Sequence, residues 1–137
     1  REVVVKVTTS SVPTPLTAVG GAGRVRVLSP DGTTLLALAP FGAGYRGAVR
    51  VATGDVTGDG VDDVIAAAGA GGGPRVKVFD GETGAEVASV LAFGRGFRGG
   101  VFVAAGDVNG DGFADLVVGA GPGGAPRVWV LSGQDLS

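Results

Sequence analysis

Carboxylates recur at a fixed spacing in two short stretches. Asp55, Asp59 and Asp63 lie in DVTGDGVDD, and Asp107, Asp111 and Asp115 lie in DVNGDGFAD. Counted from the first Asp, they fall at positions 1, 5 and 9 of each loop. Position 3 is Thr57 or Asn109, and position 6 is Gly60 or Gly112. Position 7, Val61 or Phe113, has only its backbone carbonyl to offer. A glycine at position 6 permits the positive φ that curls such a loop inward.

Asp-Gly pairs make hairpin turns on their own. That accounts for Asp59-Gly60 and Asp111-Gly112, but not for Asp55, Asp63 and their copies. Three carboxylates within a few ångströms repel one another unless a cation lies between them. Five oxygen ligands per loop suit a hard ion such as Ca²⁺, whereas Mg²⁺ prefers few protein ligands and many waters. Zinc wants His or Cys, and the chain has neither. An EF-hand needs a bidentate Glu at position 12. Here that position is Ala66 or Val118. Thr57 is a poorer ligand than Asn109, so the first loop is expected to bind more weakly or through a water.

The loops belong to a larger repeat. PRVKVFDG at Pro74 matches PRVWVLSG at Pro126, and GRVRVLSP at Gly23 matches both, which sets Arg24, Arg75 and Arg127 in register. FGAGYRGAVRVATGDV from Phe41 matches FGRGFRGGVFVAAGDV from Phe93, giving a unit of 52 residues. Each unit reads as four short Val-rich strands bounded by Gly, Asp-Gly or Pro. VKV and VRV alternate apolar with charged, as half-exposed strands do. DVIAAA and DLVVGA are continuous apolar runs, expected of strands covered on both faces.

The fold class expected is all-β: β-propeller blades of four antiparallel strands, about 2.6 blades in one domain spanning 1–137. The units are approximately 1–47, 48–99 and 100–137. The small residues of AAAGAGGG and VVGAGPGG would let neighbouring sheets approach closely. The first unit has lost its aspartates, and no metal site is expected at Thr8–Pro15, where Pro13 and Pro15 forbid a regular ladder. The third unit stops before a fourth strand. Fewer than three blades cannot close a ring, so the ring is expected to be completed by a homo-oligomer, a dimer supplying about six blades, or by further blades of a longer chain. The start at Arg1, with no signal peptide, is expected of a mature form or an excised piece.

A net charge of -2, pI near 4.9 and scattered arginines give no basic face for nucleic acid. No apolar run approaches the roughly 20 residues of a membrane span. Without histidine, Ser-His and Cys-His nucleophile pairs are excluded. The remaining acids, Asp62 and Asp80 among them, read as solvated surface, so catalysis is not expected. Arg46 and Arg98 follow an aromatic residue in each unit. They are expected to pair with a carboxylate of the neighbouring blade, with Tyr45 and Phe97 packed between sheets. Trp129 stands where Lys77 and Arg26 stand and is expected at an edge or interface.

The two acidic loops, each running into an apolar strand and a Gly-Ala-Gly segment, resemble FG-GAP/VCBS repeats, the blades of integrin-α-type β-propellers. The resemblance implies two Ca²⁺ sites: Asp55, Thr57, Asp59, Val61 (carbonyl) and Asp63, then Asp107, Asn109, Asp111, Phe113 (carbonyl) and Asp115. It also implies a secreted or cell-surface protein and a non-catalytic interaction module with a protein or glycan ligand. A lectin-like, carbohydrate-binding propeller is the alternative.

Overall fold

The computed structural model describes residues 3–6 and 17–136. The eroded loop at Thr8–Pro15 lies outside them. Among the described residues, eleven strands form three antiparallel sheets, each a simple up-and-down run in chain order. The first sheet holds β1 (Val3–Lys6), β2 (Thr17–Gly20), β3 (Val25–Leu28) and β4 (Thr34–Leu38). The second holds β5 (Val49–Gly54), β6 (Asp63–Ala68), β7 (Arg75–Phe79) and β8 (Glu86–Leu91). The third holds β9 (Val101–Gly106), β10 (Asp115–Ala120) and β11 (Val128–Leu131), with no fourth strand beside β11 among the described residues. These are propeller-type blades in an arrangement that closes no ring. No helix among the described residues is long and apolar enough to cross a membrane.

Alternation along each strand builds two cores, one in each gap between sheets. Val64 and Ala66 of β6 join Ala18, Val25 and Val27 of the first sheet. Ile65 and Ala67, pointing the other way, join Val101, Leu116 and Val118 of the third. All six residues of β6 are buried, which is why it runs unbroken apolar from Val64 to Ala68 after Asp63. In β7, Val76 and Val78 face the second core while Arg75 and Lys77 are half-exposed on the other face. There Lys77 pairs with Glu86 at 2.8 Å and Arg75 donates to Ser89 at 2.7 Å.

The sheets meet closely at their first strands, β5 lying against both β1 and β9. Glycine makes room there. A Cβ at Gly20 would stand 2.4 Å from the carbonyl oxygen of Val49, and one at Gly100 would stand 2.5 Å from the amide of Ala70. Arg50 crosses the same gap, donating to the Val101 carbonyl at 3.3 Å and lying 3.8 Å from the centre of the Phe102 ring.

The recurring Phe/Tyr-Arg-Gly segments pack as expected through their rings alone. Phe41 and Tyr45 meet edge to face at 5.3 Å, and Phe93 and Phe97 at 5.5 Å. Arg46 and Arg98 do not find the carboxylates expected for them. Both are exposed, and neither makes an ion pair among the described residues. They stand on outer loops while the acids gather at the β5–β6 and β9–β10 turns. Trp129 lies on the edge strand β11, paired only with β10, and is half-exposed.

Candidate metal centre

The first acidic loop, 55–62, joins β5 to β6 and is folded by its own carboxylates. Asp55 accepts hydrogen bonds from the amides of Gly58 at 2.7 Å, Asp59 at 3.1 Å and Gly60 at 2.8 Å. That curl needs left-handed backbone at Gly58 (φ 76°) and Gly60 (φ 87°), which glycine adopts without strain. Asp59 accepts from the Val61 amide at 2.9 Å.

Asp63 opens β6 and is fully buried. Its carboxylate accepts from the Thr57 amide at 2.8 Å and from the Gly81 amide at 3.2 Å. One side chain thus ties the loop to the turn after β7. That turn carries Asp80, which accepts from the amides of Glu82 and Thr83. Carboxylate oxygens of Asp59, Asp63 and Asp80 consequently lie within 4.8 Å of one another.

The electrostatics reflect crowding and burial. Burial pushes the Asp63 carboxyl up to about 6 from 3.8, the charge of Asp59 adds to the rise, and the Thr57 and Gly81 amides oppose it. Asp80 is held below its usual range by the Thr83 and Glu82 amides. Asp62 is also fully buried, and its oxygens meet no hydrogen-bond partner among the described residues. Burial, then the charge of Asp55, raises its pKa. The Thr57 hydroxyl oxygen is likewise buried, and its side chain helps hold the Asp63 carboxyl down against burial. Asp62 therefore does not belong to the solvated surface where the sequence put it and is turned inward beside Asp63. Asp80 stays half-exposed in its turn, where it closes a carboxylate trio.

The second loop, 107–114, repeats the fold of the first. Asp107 accepts from the amides of Gly110, Asp111 and Gly112 at 2.8, 3.2 and 2.9 Å. Those bonds, Gly112 foremost, lower its pKa. Asp115 accepts from Val108 at 2.8 Å and from Gly133 at 2.9 Å. Phe113 donates its amide to Asp111, and Asn109 accepts from the amide of Asp111. Ser132 occupies the place of Asp80, and no second carboxylate trio is present among the described residues. Asn109 brings a side-chain oxygen into the curl where the first loop has only the Thr57 hydroxyl.

The two loops also touch each other. The Ala114 amide donates to the Asp55 carbonyl at 2.7 Å. The Phe113 ring packs over Gly58 so tightly that a Cβ there would stand 2.5 Å from it. The ring at position 7 of one loop thus caps the preceding loop.

Asp80 is the participant that loop spacing does not reveal. A signal for it exists: Asp80-Gly81 follows directly on β7, and Gly81 recurs as Gly133. A Cβ at Gly81 would stand 1.7 Å from the Asp62 carbonyl oxygen, so that glycine marks a turn pressed against the acidic loop. No curated protein matches the sequence. Residues 55–118, the stretch holding both acidic loops and the strands from β6 to most of β10, match the FG-GAP-like repeat family, and the chain carries that repeat there.

Proposed function

We propose that the chain is a calcium-binding, non-catalytic interaction module of a secreted or cell-surface protein, in which Ca²⁺ fixes the turn joining the first two strands of a blade. The observation that carries this reading is the Asp59, Asp63 and Asp80 trio. Like charges so close, one of them in a fully buried side chain, are costly without a counter-ion. The donor set fits the ion. It is all oxygen, with carboxylates from two turns and a buried Thr57 hydroxyl beside Asp63. Asp55, whose oxygens accept three amide bonds, keeps lone-pair capacity for a cation, and Val61 offers its carbonyl. The second site would be held by Asp107, Asn109, Asp111, the Phe113 carbonyl and Asp115.

Ca²⁺ supplies charge neutralisation there. The chain's own residues do the positioning: Asp63 clamps loop to turn, and Phe113 and Ala114 lock one loop onto the next. The test is isothermal titration of the chelator-stripped chain with CaCl₂. Two binding events are expected, and both Asp59→Ala and Asp111→Ala each remove one. Stoichiometry unchanged by either variant would refute the assignment.

Glycan binding is the second reading, favoured by a cleft that recurs with the repeat. Phe41, Tyr45 and Arg75 line one copy, and Phe93, Phe97 and Arg127 line the other. It ranks second because Arg75 is already bonded to Ser89, and Lys77 beside it to Glu86. Saturable binding on a glycan array, lost with Arg127→Ala and Phe97→Ala, would reverse that order.

A further inference from the structure

The charges of the loops separate by end. Up-and-down strands put successive turns at opposite ends of a sheet. At one end, the turns 29–33, 55–62, 80–85 and 107–114 and the residues 132–136 carry acids and no lysine or arginine. At the other, the loops 21–24, 39–48, 69–74, 92–100 and 121–127 carry Arg24, Arg46, Arg95, Arg98 and Arg127 and no acid. Backbone hydrogen bonds knit these loops into one rim. The amides of Gly23, Gly69, Gly71 and Gly121 donate to the carbonyls of Gly47, Ala48, Arg98 and Gly100, each at 2.8 or 2.9 Å. All five arginines are exposed, and none makes an ion pair among the described residues. They are scattered along the sequence, and strand direction gathers them. Arg46, Arg95 and Arg98 stand on the loops that join one sheet to the next, with a sheet on either side. Sheets stack through their faces, so stacking leaves this rim uncovered.

We propose that this rim binds an anionic polysaccharide, a chain of sugars bearing carboxylate or sulfate groups. Charge sign comes first: five unpaired cations on loops without an acid select an anion. Their type comes second. All are arginine and none is lysine, and the planar guanidinium grips two oxygens of one oxyanion at once. Repetition comes third. Arg46 and Arg98 hold the same place in successive repeats, so the rim offers like subsites one sheet apart, about 10 Å. A polymer of like units fits like subsites. Duplex DNA, with a charge every 1.7 Å or so of its axis, calls for a denser basic surface. A protein partner calls for apolar anchors at the centre of its footprint, and a membrane surface for protruding ones. None of the large apolar side chains exposed among the described residues lies on these loops, which are otherwise mostly glycine, alanine and proline. The inference names a partner for the interaction module proposed above. It rests on the end remote from the acidic loops and stands whether or not they hold an ion.

Biolayer interferometry of the 137-residue chain in calcium buffer tests it, with heparin, hyaluronan, dextran, polyglutamate and duplex DNA as immobilised probes. Binding is expected to heparin, to hyaluronan or to both, which tells sulfate from carboxylate, and not to dextran. Polyglutamate and DNA are expected to bind more weakly than the better glycan. Binding should fade as salt rises from about 0.15 to about 1 M and the screening length shrinks from about 8 to about 3 Å. Arg46→Glu/Arg98→Glu is expected to weaken glycan binding at least about tenfold, and Arg95→Glu to weaken it less. These side chains are exposed and unpaired, so an unchanged melting temperature is expected to accompany the loss. A chain that binds neither anionic glycan overturns the proposal. So does dextran, polyglutamate or DNA bound as tightly as the better glycan, or glycan binding indifferent to both variants. A chain that binds these glycans and takes up no calcium would overturn the calcium reading and leave this one intact.

Discussion

Asp63 sits at the foot of β6 with its carboxylate out of solvent and two amides on its oxygens. Burial outweighs those amides and lifts the group from 3.8 to about 6. Without calcium, the folded chain therefore holds a proton that the unfolded chain gives up, and stability falls as pH climbs from about 4 to about 6. On the proposed reading, calcium would take the deprotonated carboxylate and release that proton, so the stabilisation it brings should grow across the same window. Melting curves of calcium-free wild type and Asp63→Asn should diverge in slope there; parallel curves would contradict the shift. Asp80 makes a second prediction. Asp80→Ala should weaken calcium at the first loop by roughly tenfold, about 1.4 kcal/mol, whereas Ser132→Ala should leave the second loop unchanged. Titration calorimetry reads both, and equal effects would show that the trio is not a ligand set.

At the scale of strands and turns, β6 carries the heaviest packing demand, since each of its faces belongs to a different core. Ile65→Ala should cost about 2–5 kcal/mol of unfolding free energy. Lys77→Ala, which breaks a pair on a half-exposed face, should cost less than about 1 kcal/mol. Gly58→Ala combines positive φ with a clash against the Phe113 ring, and should cost about 1–3 kcal/mol. Chemical denaturation at fixed calcium ranks the three, and a Lys77 effect as large as that of Ile65 would contradict the packing described. These elements were readable in advance for a physical reason. Period-two alternation in VKV, unbroken apolar runs in DVIAAA, and glycines at turns are local signals. Asp80 was not readable, because it reaches Asp63 through the pairing of β6 with β7 and its repeat partner is Ser132. Nor was the burial of Asp62, which a turn between two acids gives no reason to expect. The ion pairs expected of Arg46 and Arg98 failed for a related reason: charge and repetition alone do not say which side of a blade a loop occupies.

For the molecule as a whole, the architecture is a stack in which each sheet is completed by the next. The acidic loops lie in series along one end of that stack, cross-linked by the Ala114 amide and the Phe113 ring. On the proposed reading, an ion in the first loop would therefore steady the junction of the second and third sheets as well as its own turn. Ligand binding to the folded state alone raises stability by RT ln(1 + [L]/Kd), about 2.7 kcal/mol at a hundredfold excess over Kd. The central claim is that these loops hold calcium, and the most direct measurement is native mass spectrometry of the chelator-stripped chain titrated with CaCl₂. The expected result is a mass increase of two Ca²⁺ per chain, with a matching rise in melting temperature and one ion lost in Asp59→Ala. A chain that takes up no calcium at millimolar concentration, and melts where it melted without it, would contradict the account.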